Sequence, residues 1–351
     1  MPRLLIANVA TAVPMGAQVY QEEVASRTGS ALGAAWEVDR MVLRSMRSSL
    51  PGIRRLPMGR LTRASPGLRR QIGRALYPRR AVVHRMNLEL PPSQHADVIT
   101  LHDVVAWKFA DESAPVRAAA MEARQARAVI CVSAFTATEA VDLLGIAEPY
   151  VVPNGVDERF FDAAPLSGAA LQQLEVTGPY VLTSGGASER KNLKGLAEAW
   201  PLVNSARPDL TLVLSGPEHP RRTALFADLP NVRLVGRVDA ELVPSLMASA
   251  SAVVVPSRYE GFGLPALEAM AVCTPLVAAN TSSLPEVVGD GGTLVEPDAE
   301  SIAEGVLYAV SGESAVAETV VRGRSRASHF TWERSAAAHA EVWRKVSASL
   351  D

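Results

Sequence analysis

Glu260 and Glu268 stand eight residues apart in Arg258-Tyr-Glu-Gly-Phe-Gly-Leu-Pro-Ala-Leu-Glu-Ala-Met-Ala271. Ionised carboxylates accept hydrogen bonds and repel phosphate, so this pair suits neutral hydroxyl groups such as sugars and riboses present. A second cluster, Ser184-Gly-Gly-Ala-Ser-Glu-Arg-Lys-Asn-Leu193, has the opposite character. Gly185 and Gly186 allow backbone to approach a ligand closely, and Arg190 and Lys191 bring cations. Cations placed there stabilise negative charge that grows on a departing diphosphate, and so act on a transition state more than on a ground state. Taken singly, each cluster also reads as solvated charge around a helix start.

The surrounding pattern supplies elements to hold these groups. Ala252–Val255 reads as a buried strand, Gly261 and Gly263 as a tight loop, and Pro265 as the first turn of a helix. Leu267, Met270 and Ala271 give that helix an inward face. Its start near Leu264 offers free N–H groups and about half a positive charge, which favours phosphate. Further strand candidates are Leu4–Val9, Val98–Leu101, Val129–Val132, Tyr150–Val152, Val181–Ser184, Leu210–Leu214, Val232–Val235 and Leu276–Ala279. Helical patterns separate many of them, which predicts an α/β architecture of parallel sheets covered by helices. A weakly patterned stretch between Phe160 and Gly178 places a boundary, giving Rossmann-like domains at 1–165 and 166–330. The segment 331–351 is a helix with Trp343 and Val346 on its apolar stripe.

With these residues in view, the chain resembles the retaining nucleotide-sugar glycosyltransferases of family 4, which have the GT-B fold. Their signature is Glu, seven residues, Glu, here Glu260 to Glu268, embedded in Pro256-Ser257 and followed by Thr274-Pro-Leu-Val277. The likeness runs from about His102 to the C-terminus and is weakest between Arg40 and Leu90. It looks most like bacterial mannosyl and rhamnosyl transferases of surface polysaccharide assembly, which makes GDP-mannose the first donor to test. The resemblance implies two Rossmann-like domains facing a cleft, with the last helix crossing back onto the N-terminal one. It implies transfer of a sugar from a nucleotide-diphosphate sugar to a hydroxyl of a glycan or lipid-linked acceptor, with retention at the anomeric carbon.

Residue by residue, the resemblance gives Glu268 the ribose hydroxyls and Glu260 the hydroxyls of the sugar. Arg190, Lys191 and the helix start at Leu264 take the diphosphate, with Gly185, Gly186, Gly261, Phe262 and Gly263 lining the donor. Gly236 and Arg237 lie beside the nucleobase. His102 contacts the transferred sugar or the reacting oxygen, either by titrating or as a neutral hydrogen-bonding group. Gly16, Asp103, Ser133 and Asn154 fall on the acceptor side, and Glu286 sits in a donor-side loop as a structural residue. Two departures stand out. Gly186 occupies a place where many relatives have Arg, and Gly16-Ala17 replaces two adjacent glycines in the first loop, Met15-Gly-Ala-Gln18. No Asp-X-Asp triplet occurs, so no metal and no cofactor are expected. A non-catalytic nucleotide- or lipid-binding module and a sugar-nucleotide epimerase of the same fold remain alternatives. A Rossmann dehydrogenase does not, for want of Gly-X-Gly-X-X-Gly after the first strand.

A chain of 351 residues, 48% hydrophobic, has core material for two domains. It has no apolar run of membrane-spanning length, and Met1–Ala7 reads as a strand, not a signal peptide. Cys131 and Cys273 both lie among apolar neighbours and are expected to pack, which fits a cytoplasmic protein without disulfides or zinc. The net charge of −2 hides an asymmetry: from Arg40 to Leu88 there are thirteen Arg and no Lys, Asp or Glu, so the remainder carries −15. This segment, interleaved with Met41, Val42, Leu43, Leu68, Ile72 and Leu76, reads as a solvated face, as basic amphipathic helices, or as a nucleic-acid contact. The second reading docks Arg69, Arg70, Arg74, Arg79 and Arg80 on anionic lipid at the inner face of the plasma membrane. Nucleic acid is disfavoured, because Tyr77 is the segment's one aromatic residue and no nucleic-acid motif is present.

Overall fold

The computed structural model describes residues 1–11 and 16–350, so Met15 of the first glycine loop lies outside the described residues. The chain forms two compact units, Met1–Gly155 with Thr331–Asp351, and Val156–Phe330.

The first unit holds a seven-stranded sheet of β1 (Arg3–Val9), β2 (Glu37–Ser45), β3 (Arg54–Leu56), β4 (Val82–Arg85), β5 (Ala96–Leu101), β6 (Ala128–Cys131) and β7 (Tyr150–Val151). The order is β3-β2-β1-β4-β5-β6-β7, and every pairing is parallel. The second unit repeats the plan with β8 (Tyr180–Ser184), β9 (Thr211–Ser215), β10 (Val232–Gly236), β11 (Ala252–Val255), β12 (Leu276–Ala279) and β13 (Thr293–Val295), in the order β10-β9-β8-β11-β12-β13. Each sheet starts at its centre and winds outward in both directions. The reversal falls between β1 and β4 in one unit and between β8 and β11 in the other. In such sheets ligands bind beyond the carboxyl ends of the strands, at the reversal.

The units divide at Gly155/Val156, ahead of the 165/166 boundary read from sequence. Packing explains the position. A Cβ on Gly155 would lie 2.2 Å from the Trp332 nitrogen, and the Val156 N–H donates to the Phe330 carbonyl at 2.9 Å. The outgoing and returning chain therefore run side by side there. The helix Trp332–Ala348 belongs to the first unit and buries Trp332, Trp343 and Val346 against Leu4, Ile6, Val82 and Ile130. Trp200 anchors the second unit's core and donates its indole N–H to the Pro230 carbonyl at 2.7 Å.

A chain of polar groups crosses the first core. The Trp343 indole donates to His84 Nδ1 at 3.3 Å, and His84 Nε2 donates to the Thr100 hydroxyl at 2.8 Å. Thr100 donates to Tyr20 at 2.7 Å, Tyr20 to His339 Nε2 at 2.6 Å, and His339 Nδ1 to the Ser335 carbonyl at 2.7 Å. The direction is forced from both ends, because an indole can only donate and a carbonyl can only accept. It holds only while both histidines are neutral. Burial lowers the pKa of His84 well below its usual value and that of His339 to about 4.

Basic amphipathic helices were one of three readings of 40–88, and the structure supports it only over Pro66–Leu76, where Arg70 and Arg74 are exposed and Leu76 is buried. The segment begins in β2 and continues through β3, followed by the helices Met58–Leu61 and Pro66–Leu76 and by β4. Arg69, expected on a membrane, is fully buried. Its guanidinium pairs with Glu122 at 2.6 Å and donates to the carbonyls of Leu61, Leu88, Glu89 and Leu90. Buried Arg85 likewise pairs with Asp97 at 2.6 Å. Arg70, Arg74, Arg79 and Arg80 are exposed, as are Ile53 and Leu68. One of the two cysteines also differs from expectation. Cys131 is buried, with its thiol pushed up to about 12 by burial, but Cys273 is exposed in a left-handed turn with φ of 59°. No helix among the described residues is long and apolar enough to cross a membrane.

Candidate functional site

The reversal between β8 and β11 brings together Arg190, Lys191 and Glu260, three charged residues predicted from sequence. β8 ends at Ser184, and the chain turns at Gly185, whose N–H donates to the Ser215 carbonyl at 3.0 Å. The loop after β9 packs directly on it. A Cβ on Gly216 would sit 2.0 Å from the Gly185 oxygen, and φ at Gly216 is +141°, so only glycine fits. A cleft with about 270 Å³ of space, counting what is open to solvent, lies against these turns, lined by Gly185, Gly186, Lys191, Arg222, Pro256 and Ser257.

Glu189–Lys191 forms a single 3-10 turn, followed by Asn192 in a left-handed conformation. Asn192 is buried, and its amide donates to the carbonyls of Pro256 and Pro297 at 3.0 Å each, tying this loop to the segment after β11. Glu260 is thereby held beside both cations. Lys191 Nζ lies 2.5 Å from one carboxylate oxygen, and Arg190 lies 3.3 Å from the other. Burial works to raise the Glu260 pKa, but the charges of Lys191 and Arg190 outweigh it, and the carboxyl sits below its ordinary value. Its backbone is fixed as well: the N–H donates to Ser282 Oγ at 3.0 Å, and Ser283 Oγ bonds the carbonyls of Glu260 and Phe262 at 2.9 and 2.8 Å.

The helix Leu264–Ala271 starts from Gly263, whose φ of +101° and closeness to Leu284 leave no room for a side chain. The Phe262 ring is turned into the core, 5.9 Å from Phe330 between centroids, so a donor contact there falls to backbone. Glu268 faces partly outward from the helix. Burial and then the charge of Asp157 push its carboxyl up to about 7. Gly236 gives its carbonyl to the Gly216 N–H at 2.8 Å, and Arg237 is exposed.

The remaining predicted residues belong to the first unit. His102 follows β5, with its ring edge-on to Tyr20 at 4.6 Å. Its Nε2 is enclosed and has no hydrogen-bond partner among the described residues. Burial, helped by His339, lowers its pKa to about 4, so it is neutral near pH 7. Ser133 is buried and caps the helix Ala134–Leu144, accepting from the Thr136 N–H at 3.0 Å. Asp103 accepts from the Val105 N–H at 3.2 Å, and Gly16 opens the helix Gly16–Leu32 at the surface. Asn154 is buried with its Oδ1 unpartnered among the described residues. No group of three or more His, Cys, Asp or Glu among the described residues is placed to hold a metal ion.

Sequence reasoning missed Arg222, Asn192 and Ser283. Arg222 lies in the helix Pro220–Phe226 beside Arg221, and nothing in the local sequence marks it. Only the close approach of the β8 and β9 loops brings it to the cleft.

Comparison with known proteins agrees with this geometry. Residues 171–326 match the family described as Glycosyl transferases group 1, and residues 47–160 match Glycosyltransferase Family 4. The O-antigen chain mannosyltransferase B of Escherichia coli is 31% identical over 289 residues, covering 74% of this chain and 76% of that protein. A GDP-mannose-dependent alpha-(1-6)-phosphatidylinositol dimannoside mannosyltransferase of Mycobacterium tuberculosis is 32% identical over 244 residues, covering 66% of this chain. The match spans 63% of that relative, less than two thirds of its length. Among solved structures, sucrose-phosphate synthase of Thermosynechococcus elongatus matches with a TM-score of 0.76 at 23% identity, covering 99% of this chain and 100% of that one. HepE of Anabaena, in complex with UDP and glucose, matches with a TM-score of 0.74 at 20% identity, covering 98% and 100%. At these identities the structures establish the fold. Two parallel-sheet units of GT-B type, matched by both family descriptions and by the Escherichia coli relative, place the chain in the family 4 glycosyltransferases.

Proposed function

We propose that the protein transfers a hexose from a nucleotide-diphosphate sugar, with GDP-mannose the leading donor, to a hydroxyl on a glycan or lipid-linked acceptor, with retention of configuration. In the reaction the bond from the anomeric carbon to the diphosphate oxygen breaks, and its electron pair leaves with the diphosphate. The acceptor oxygen bonds to that carbon, and the hydroxyl proton goes to the departing diphosphate or to water. The observation that carries this reading is the arrangement at the β8/β11 reversal. Lys191 borders a glycine-lined cleft, and Glu260, fixed by Ser282 and Ser283, stands against it at 2.5 Å. Cations meet the charge that develops on the leaving group, and carboxylates meet hydroxyls.

In this reading Glu268 holds the ribose, Glu260 the sugar hydroxyls, and His102 donates or accepts one neutral hydrogen bond. Lys191, Arg190 and the helix start at Leu264 carry the diphosphate without a metal, so activity should survive EDTA. The mannosyltransferase relatives support mannose, and the GDP-mannose dependence of the mycobacterial one supports the base. Screening nucleotide sugars for thermal stabilisation tests the donor. The right one at a hundred times its Kd should add about 2.7 kcal/mol. Stabilisation by none of the GDP, UDP and dTDP sugars would remove the reading.

The acceptor is proposed to be presented at an anionic membrane surface. Exposed Arg70, Arg74, Arg79 and Arg80 share the first unit with exposed Leu68 and Ile53, the combination that a headgroup layer attracts. This is the basis for a peripheral cytoplasmic location.

A further inference from the structure

Among the described residues three arginines are buried to within a few per cent, and two of them are paired: Arg69 with Glu122 and Arg85 with Asp97. Arg222 is the exception. It is 4% exposed, and none of its ion pairs or hydrogen bonds among the described residues goes to a carboxylate. Its guanidinium donates to three carbonyls, those of Pro217 at 3.0 Å, Gly186 at 3.2 Å and Gly185. Its Nε–H is enclosed and has no hydrogen-bond partner among the described residues. Carbonyl dipoles orient such a group but do not neutralise it, and a buried charge without a counter-ion is costly. Desolvation accordingly lowers the Arg222 pKa. The other cations here are countered: Lys191 and Arg190 share Glu260, and Arg221 lies 3.3 Å from Glu189.

We propose that Arg222 is a further binding residue for the diphosphate of the donor, supplying a positive charge that no carboxylate pairs with. The cleft it lines is also lined by Lys191, Gly185 and Gly186, so an anion there meets Arg222 and glycine backbone together. Net charge sharpens the point. Lys191 and Arg190 set against Glu260 leave one charge, Arg222 adds a second, and a nucleoside diphosphate brings at least two negative ones. Arg222 thereby favours diphosphate over an uncharged nucleoside and retains the diphosphate as it takes up charge. This rests on the nucleotide-sugar reading given above.

The structure also supplies a way to separate charge from scaffolding. Gly186 lines the same cleft, and a Cβ built on it meets nothing within 4 Å at an ordinary φ. A guanidinium placed there should replace the lost charge without the carbonyl bonds of Arg222. The experiment is calorimetric titration of GDP, UDP, guanosine and uridine into wild type, Arg222→Met, Arg222→Lys, and Gly186→Arg combined with Arg222→Met. Melting curves without ligand accompany each. The expected result is a loss of at least tenfold in diphosphate affinity for Arg222→Met, a change under threefold for the matching nucleoside, and recovery of most of the loss in the double variant. Arg222→Lys, which keeps the charge and serves if the Met variant does not fold, should stay within threefold of wild type. Wild-type affinity for GDP or UDP retained in Arg222→Met overturns the proposal alone. So does a loss that neither Lys at 222 nor Arg at 186 repairs, because Arg222 would then be a scaffold for the loop. Failure of wild type to bind either diphosphate overturns the nucleotide-sugar reading itself.

Discussion

Glu260 and Glu268 lie one on each side of the same helix start and are pulled in opposite directions. Glu260 is kept ionised by Lys191 and Arg190, while burial and Asp157 push Glu268 up to about 7. A ribose hydroxyl donates more strongly to an ionised carboxylate than to a protonated one. If Glu268 holds the ribose, nucleoside diphosphate affinity should fall as pH drops below 7, approaching tenfold per unit, and level off above 8. Glu268→Gln should bind more weakly and keep only the dependence that comes from the diphosphate itself. Calorimetry between pH 6 and 8.5 reads both, and an identical slope in the variant removes Glu268 from the ribose. In the empty protein the same shift has a defined sign. The folded state holds a proton that the unfolded chain has released between pH 4.5 and about 7, so Glu268 takes stability away as pH rises through that window. Lys191→Ala should lower turnover on the order of 10²-fold while nucleoside binding changes little, because its charge is needed as the diphosphate leaves. Unchanged turnover would take Lys191 out of the reaction.

The site is built by loops that follow β8, β9 and β11, and their contacts are set by glycines. Gly216→Ala puts a methyl group into the Gly185 carbonyl at a φ that alanine avoids, so it should cost more than about 1 kcal/mol in urea unfolding. A smaller change would show that the two loops yield easily. At this scale the sequence was readable where strands are apolar and buried, as β8, β9, β11 and β12 are. It was opaque at β2, where Arg40 and Arg44 flank Met41, Val42 and Leu43 and only Leu43 is buried. It was opaque again at β4, which is wholly buried yet contains His84 and Arg85. Partners distant in sequence satisfy those two residues, Thr100 and Trp343 for one and Asp97 and Glu122 for the other. Local hydrophobicity cannot report such compensation. The same reason hid Arg222, and it placed Arg69 on a membrane when Glu122 holds it inside. The glutamate pair and the Arg190-Lys191 step were legible because a glycine turn and a helix start mark them in the chain itself.

For the whole molecule, the histidine chain of the first unit makes stability depend on acid. His339 titrates near 6.5 when unfolded and at about 4 when folded, so the unfolded state binds the extra proton between those values. The His339 contribution to stability is full above pH 6.5 and should fall as pH drops toward 4, by at most about 3.4 kcal/mol at 1.36 kcal/mol per unit. His84 adds to this in the same direction. Urea unfolding of Glu268→Gln at pH 7.5 and 5 measures it free of the opposing Glu268 effect, and a midpoint independent of pH in that variant would mean that the chain accepts a proton without breaking. Attachment to vesicles of phosphatidylglycerol should weaken with salt, as the Debye length shortens from about 10 Å at 0.1 M to about 3 Å at 1 M. Changing Arg70, Arg74, Arg79 and Arg80 to Gln should reduce it while leaving nucleotide affinity intact. Arg69 stays unchanged in that test, since it is buried. Sedimentation with anionic and neutral vesicles decides, and indifference to anionic vesicles at low salt makes a soluble acceptor the better proposal.

The most direct measurement is turnover of a panel of GDP, UDP and dTDP sugars, labelled in the sugar, with bacterial lipid and glycan fractions as acceptor. One nucleoside diphosphate should be released in step with label entering an acceptor fraction, in the presence of EDTA, and Lys191→Ala and Glu260→Gln should each lower both by on the order of 10²-fold. Donor that is neither bound nor consumed by the wild-type protein, with every acceptor fraction unlabelled, would contradict it.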